Sequence, residues 1–186
     1  MKKILAITLA ALMALALTAC GAGSSEQAPA EEASEESSEF AGMPNPWTEV
    51  ETPGEAAEGA GVGSFQVPED GTETSAGTVD WAVFQYMEGI AEADGWLGTA
   101  ELTVRKGLQQ DYEDVSGDYT EYKDEWSQEV DGQEVQCGGN EEGRAMKVTW
   151  LSDSFSYSIV IRGQGDLYDT YGVDADAVAA LVSATR

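Results

Sequence analysis

Residues 144–162 read RAMKVTWLSDSFSYSIVIR. Met146, Val148 and Trp150 alternate with Lys147 and Thr149. After a short polar break, Phe155, Tyr157, Ile159 and Ile161 share one face, with Ser156 and Ser158 opposite. A period of two in β-branched and aromatic residues predicts two strands, each with one buried side. Ser152, Asp153 and Ser154 carry turn chemistry, because short hydroxyl and carboxylate side chains hydrogen-bond the local backbone. The stretch is expected to be a β-hairpin at the centre of an antiparallel sheet.

Working outward, Trp126–Val130 and Gln133–Cys137 flank Asp131-Gly132, a dipeptide that accepts the positive φ of a tight hairpin turn. Ala100, Leu102 and Val104 alternate with Glu101, Thr103 and Arg105. Thr78 to Met87 is apolar on both faces, Val79, Trp81 and Val83 on one and Ala82, Phe84 and Tyr86 on the other, as in a strand covered twice. Ala93-Asp94-Gly95 is expected to turn the chain, and Phe65 and Val67 to form a brief strand. Residues 107–124 are acidic and rich in tyrosine, and read as a surface loop with an ordered piece near Gly117-Asp118-Tyr119.

Two helices complete the reading. Thr52-Pro53-Gly54-Glu55 has an N-cap, a proline at the first helical position and a glutamate to close a capping box. Near the other end, Asp174 can cap a helix, Val173 and Val178 are spaced as a staple, and Val178, Leu181 and Val182 form one apolar stripe. The expected fold class is α+β: an antiparallel sheet of about six or more strands, a short N-terminal helix, and a C-terminal helix packed on the sheet.

Composition bounds function. Nine basic and 35 acidic side chains leave a formal charge of −26. Phosphate backbones would be repelled, so no nucleic acid is expected as a partner. There is no histidine, which removes the usual general base and the commonest metal ligand.

The first residues form a processing signal. Lys2 and Lys3 precede an apolar run from Ile4 to Leu17, too short to cross a bilayer core of about 30 Å but suited to a secretory signal. Leu17-Thr18-Ala19-Cys20 resembles the lipobox of bacterial lipoproteins. That resemblance implies a signal peptide over 1–19 and a lipid on the Cys20 thiol; the alternatives are an uncleaved anchor or plain secretion with a free Cys20. Acyl chains contribute on the order of 0.8 kcal/mol per buried CH₂, so two or more hold a protein on a membrane. Residues 20–42 carry Glu26, Glu31, Glu32, Glu35, Glu36 and Glu39 with no basic residue, and are expected to be a disordered acidic tether. Residues 43–186 then make a single α+β domain.

Several stretches of that domain stand out: Pro44-Asn45-Pro46-Trp47, Leu102 to Gly107 (LTVRKG), Val115 to Tyr122 (VSGDYTEY), Val130 to Gln136 (VDGQEVQ), Gly139-Asn140, and Thr149 to Ile159 (TWLSDSFSYSI). In this order the chain is similar to a group of uncharacterised Gram-positive bacterial lipoproteins with a domain of unknown function. It departs from their pattern at Gly89 to Gly98, read as a longer connection. The resemblance implies an extracytoplasmic domain and carries no catalytic residues.

The candidate chemistries weigh against catalysis. Cys137 alternates with Val135 and is expected to be a buried structural thiol. Asp111, Glu113, Asp114, Asp118, Glu121, Asp124 and Glu125, and separately Asp166, Asp169, Asp174 and Asp176, offer oxygen ligands without the spacing of a calcium loop. Gly59-Ala60-Gly61-Val62-Gly63 follows no strand, so it is no phosphate cradle, and Ser64 is not in a nucleophile elbow. Trp47, Trp81, Trp126, Trp150 and Tyr157 are spaced as core positions. No catalytic residue, metal site or cofactor is expected. The sequence points to a non-catalytic, membrane-anchored lipoprotein that binds a small ligand or an envelope protein. A carrier of lipid or another hydrophobic ligand is the alternative, and an envelope hydrolase a weaker one.

Overall fold

The structure, a computed structural model, describes residues 44–186. The signal peptide, Cys20 and the tether lie outside the described residues. Nine strands form one antiparallel sheet: β1 (Thr48–Val50), β2 (Glu73–Thr74), β3 (Gly77–Met87), β4 (Ile90–Leu97), β5 (Ala100–Leu108), β6 (Asp124–Val130), β7 (Gln133–Gly139), β8 (Lys147–Ser152) and β9 (Phe155–Arg162). Their spatial order is β1-β3-β4-β5-β9-β8-β7-β6, with β2 paired to β3. The fold is α+β, as its periodicity implies.

The hairpin of residues 147–162 sits where the sequence places it. Ser152 pairs with Phe155, and Asp153 takes a φ of 56°, which its short side chain tolerates. Asp131 (φ 51°) and Gly132 (φ 81°) turn β6 into β7 with the left-handed geometry that suits strand twist.

Register fixes the core. Phe84, Ala93, Val104, Ile159, Val148, Cys137 and Trp126 pair successively from β3 to β6 and form one row on one face. Helix α1 (Pro53–Ala60) and helix α2 (Ala175–Ala184) cover this face. Thr52 accepts from the Glu55 amide while the Glu55 carboxylate returns to the Thr52 amide, and Gly61 ends α1 at φ 73°. Asp174 caps α2 through the Ala177 amide, and Val178, Leu181 and Val182 enter the core.

Three expectations are corrected. Ala93-Asp94-Gly95 does not turn the chain but lies within β4; the turns are at Gly89 (φ 79°) and Gly98 (φ 61°). The segment Gly89 to Gly98 is therefore largely a strand, not a long connection. Gly95 is needed for contact rather than for turning: a Cβ there would strike the Asp80 carbonyl and lie 2.9 Å from Trp81 Cα. Second, β3 carries a bulge between Trp81 and Val83, so the inward set becomes Val79, Trp81, Phe84 and Tyr86. Third, Phe65 and Val67 are not in a strand; Phe65 is buried, and Gln66 exchanges backbone hydrogen bonds with Arg186 at 2.9 and 3.0 Å.

Candidate functional site

The opposite face of the sheet carries a second row, and it is polar throughout. Gln85, Glu92, Arg105, Ser158, Thr149, Gln136 and Ser127 are successive neighbours from β3 to β6. Alternation makes this unavoidable: each member is the sequence neighbour of a core residue, so the apolar row dictates where the polar row lies.

A strap, residues 109–123, crosses this face between β5 and β6. Three cations from three strands hold it. Arg105 Nη1 donates to the Ser116 carbonyl at 2.7 Å and, more weakly, to that of Val115 at 3.4 Å. Lys147 Nζ reaches Asp114 at 2.5 Å and the Asp118 carbonyl at 3.0 Å, and Arg162 Nη2 reaches Asp118 at 2.5 Å. Val115 is buried, and Gly107 leaves it room: a Cβ there would lie 2.7 Å from Val115 Cγ2.

Asp118 is the centre of the strap. It accepts from the amide and hydroxyl of Thr120 at 3.0 and 2.6 Å, from the Tyr122 hydroxyl, and from Arg162. Burial opposes its ionisation, but the hydrogen bonds from Thr120 and Tyr122 and the charge of Arg162 hold its carboxyl below the usual value. Asp114 is held low likewise, against burial, by Lys147 and Ser116. Thus Asp114 and Asp118, two of the carboxylates considered as calcium ligands, are engaged with cations.

Glu92 behaves differently. It is 2 % exposed, with Arg105 Nε on one oxygen and Gln85 Nε2 on the other. Gln85 also donates to Asp94 at 3.0 Å, and Thr103 to Asp94 at 2.6 Å, so two carboxylates meet around one amide. Burial, then the hydrogen bond and charge of Asp94, push Glu92 up to about 7, against the pull of Arg105. A raised carboxyl beside a second carboxyl is an arrangement that acid catalysis also uses. Here the acid is enclosed and already paired, so it lacks the open approach a substrate needs.

The strap leaves a groove over β7 and β8. A cavity of about 260 Å³ is lined by Thr120, Tyr122, Gln136, Gly138, Lys147 and Thr149. It shares Gln136 and Thr149 with one of about 320 Å³ that adds Glu113, Glu134 and the exposed Leu151. Gly138 makes room for the Tyr122 ring, where a Cβ would meet Cδ2 at 2.7 Å. On the helix-covered face, a cleft of about 160 Å³ lies between α2 and the sheet, bordered by Val130, Trp150, Tyr157, Val182 and Arg186.

Sequence-singled residues separate accordingly. Cys137 is a free, buried thiol, and burial alone pushes it up to about 11. Trp150 and Tyr157 are buried and stacked at 5.1 Å; Trp81 and Trp126 pack against the core. Trp47 lies 5.3 Å from the Arg105 guanidinium. Ser64 serves through its carbonyl, which accepts from Lys106 at 2.5 Å. Asp174 is a helix cap, and its carboxyl is held low first by the Ser75 hydroxyl and then by the Ala177 amide. The Glu92–Arg105 centre was not among the sequence candidates; its signal was the acidic pair two residues apart in AEADG, opposite the LTVRK strand.

Among the described residues, no helix is long and apolar enough to cross a membrane. Comparison with protein-family models, curated proteins and solved structures finds no match.

Proposed function

We propose that this chain is a lipid-anchored, extracytoplasmic lipoprotein whose folded domain binds a ligand or another envelope protein without catalysing a reaction. The observation that carries the binding role is the polar row, whose outer members Thr149 and Gln136 floor a groove walled by the strap. Amides, hydroxyls, an aromatic ring and the charged Lys147, Asp114, Glu125, Glu113 and Glu134 line the groove, whose larger part of about 320 Å³ falls at the low end of the roughly 300–1,000 Å³ that binding sites span. The cleft beside α2, at about 160 Å³, is small for an acyl chain, which weighs against a carrier that lodges its ligand between α2 and the sheet. The lipobox resemblance at Cys20 and the apolar run before it support the anchor.

Two experiments test the two halves. A clickable palmitate analogue fed to cells should label the wild-type chain and leave Cys20→Ala unlabelled and released from the membrane; equal labelling of both would defeat the anchor. A photo-crosslinker placed at Leu151 or Gln136 in intact cells should give a discrete adduct that one at Glu58, exposed on α1, does not. Identical patterns from both faces would remove the groove from consideration.

A further inference from the structure

Among the described residues, Arg105 joins the sheet, the strap and the segment before β1. Its Nε meets Glu92 on β4, its Nη1 holds the Val115 and Ser116 carbonyls of the strap, and its guanidinium lies over the Trp47 ring. The strap is moulded to it: a Cβ at Gly117 would collide with Arg105 Nη1, and Gly117 itself takes a φ of 65°. Arg105 hydrogen-bonds one anion, Glu92. Around that anion, β3 contributes the neutral Gln85, β4 contributes Asp94, β5 contributes Arg105 with Thr103 behind Asp94, and β9 contributes the neutral Ser158. The nearest acids of the strap, Asp114 and Asp118, are taken by Lys147 and Arg162.

We propose that this hub is a proton-responsive latch: when Glu92 takes up a proton, Arg105 loses its anionic partner and its grip on the strap slackens, loosening one wall of the groove over β7 and β8. The proton goes to a carboxylate oxygen of Glu92, and the resulting hydroxyl donates to the neighbouring Asp94 side chain. The guanidinium then faces a neutral acid and is drawn towards Asp94 on the next outward position of β4, away from the Ser116 carbonyl. Position in the row explains why the response reaches the strap: Glu92 and Arg105 are directly paired, and Arg105 holds the strap by the Val115 and Ser116 carbonyls, while Lys147 holds it at the Asp118 carbonyl. Burial and Asp94 place this proton uptake in the range where extracytoplasmic pH varies. The latch stands on the Glu92–Arg105–Ser116 geometry together with the raised Glu92 value; only its consequence for the groove rests on the binding role proposed above.

The test uses the intact chain in detergent micelles, with ¹³C-carboxyl glutamate and ¹⁵N-glycine labels and no ligand. The Glu92 carboxyl should titrate near 7, and the Gly117 amide should shift with the same midpoint. Glu92→Gln should abolish the Gly117 transition. Asp94→Asn, which removes the neighbour that helps raise Glu92, should move both midpoints together to lower pH. A Gly117 amide that stays still between about pH 5.5 and 8.5, or one that still moves in Glu92→Gln, overturns the latch. If Glu92→Gln does not fold, Asp94→Asn decides: midpoints that part company sink the idea. A moving strap combined with no groove adduct in the crosslinking experiment would defeat the binding role and leave the latch standing.

Discussion

Lys106 points into the helix-covered face of the sheet and donates to the carbonyl of Ser64 at 2.5 Å, while its ammonium lies 4.1 Å from the Phe155 ring centroid. It is 3 % exposed, and burial holds its amine below the usual lysine value. One buried cation thus ties the loop after α1 to the centre of the sheet. Removing its charge and its volume should have different costs. Lys106→Ala should destabilise by about 2–4 kcal/mol, because it leaves a cavity and an orphaned carbonyl. Lys106→Met keeps the stem's packing and should lose less than half of that. Urea denaturation of both variants checks the ordering, and a methionine variant weaker than the alanine one would contradict it.

Gly95→Ala tests the bulge. With the Asp80 carbonyl and Trp81 Cα in the way, the backbone of β3 must shift, at a cost of about 2–4 kcal/mol. Gly132→Ala is the control, since nothing lies within 4 Å of its added Cβ and only the φ of 81° resists it, at about 1 kcal/mol. Thermal unfolding followed by circular dichroism separates the two; equal losses would argue against a packing role for Gly95.

Stability should depend on pH in two opposed ways. Glu92 has a raised folded value, so the folded state takes up a proton before the unfolded chain does, and stability rises as pH falls through about 7 towards 4.5. Asp114 and Asp118 have lowered folded values. Their contribution is present above the unfolded value of 3.8 and is lost as pH falls through the folded one. Glu92→Gln should flatten the first limb and leave the second. A denaturation series across pH reads both, and an unchanged neutral limb in Glu92→Gln would refute the assignment.

The three strap cations are unequal. Arg162→Met leaves the Asp118 carboxylate buried and without its counter-ion, and should cost about 2 kcal/mol while raising the Asp118 titration. Lys147→Met faces the half-exposed Asp114 and should cost under about 1 kcal/mol. Proteolysis within residues 109–123 offers a direct readout: the Arg162 variant should be cut faster than the Lys147 variant, and the reverse order would count against this ranking.

Cys137 should be inert in the folded protein. A buried thiol pushed up to about 11 presents little thiolate near neutral pH, so a disulfide reagent should react only at the rate of unfolding. Full labelling within minutes under native conditions would show the thiol to be reachable.

The hairpin of residues 147–162, the Asp131-Gly132 turn, the Thr52 capping box and the Asp174 cap were all legible in the sequence, because each depends on residues a few positions apart. Periodicity of two needs no partner to be seen, and a capping box is complete within four residues. Asp94-Gly95 misled for the same reason: read locally it is a turn dipeptide, but its glycine answers to Trp81 on the neighbouring strand. The polar residues of the strap-covered face were visible one at a time, Ser156 and Ser158 opposite the apolar set among them, yet nothing local said that Glu92 would stand beside Arg105 or that Arg105 would hold Ser116. What the chain alone determined is therefore both helices, most of its strands, the turns at Asp131-Gly132 and Ser152-Asp153-Ser154, its acidic charge and its signal-like beginning, since these follow from backbone sterics, alternation and composition. Strand order and register were decided only in three dimensions. Through them, the raised Glu92, the lowered Asp118 and the strapped groove arise from contacts between residues distant in sequence, where burial and neighbouring charge set the chemistry.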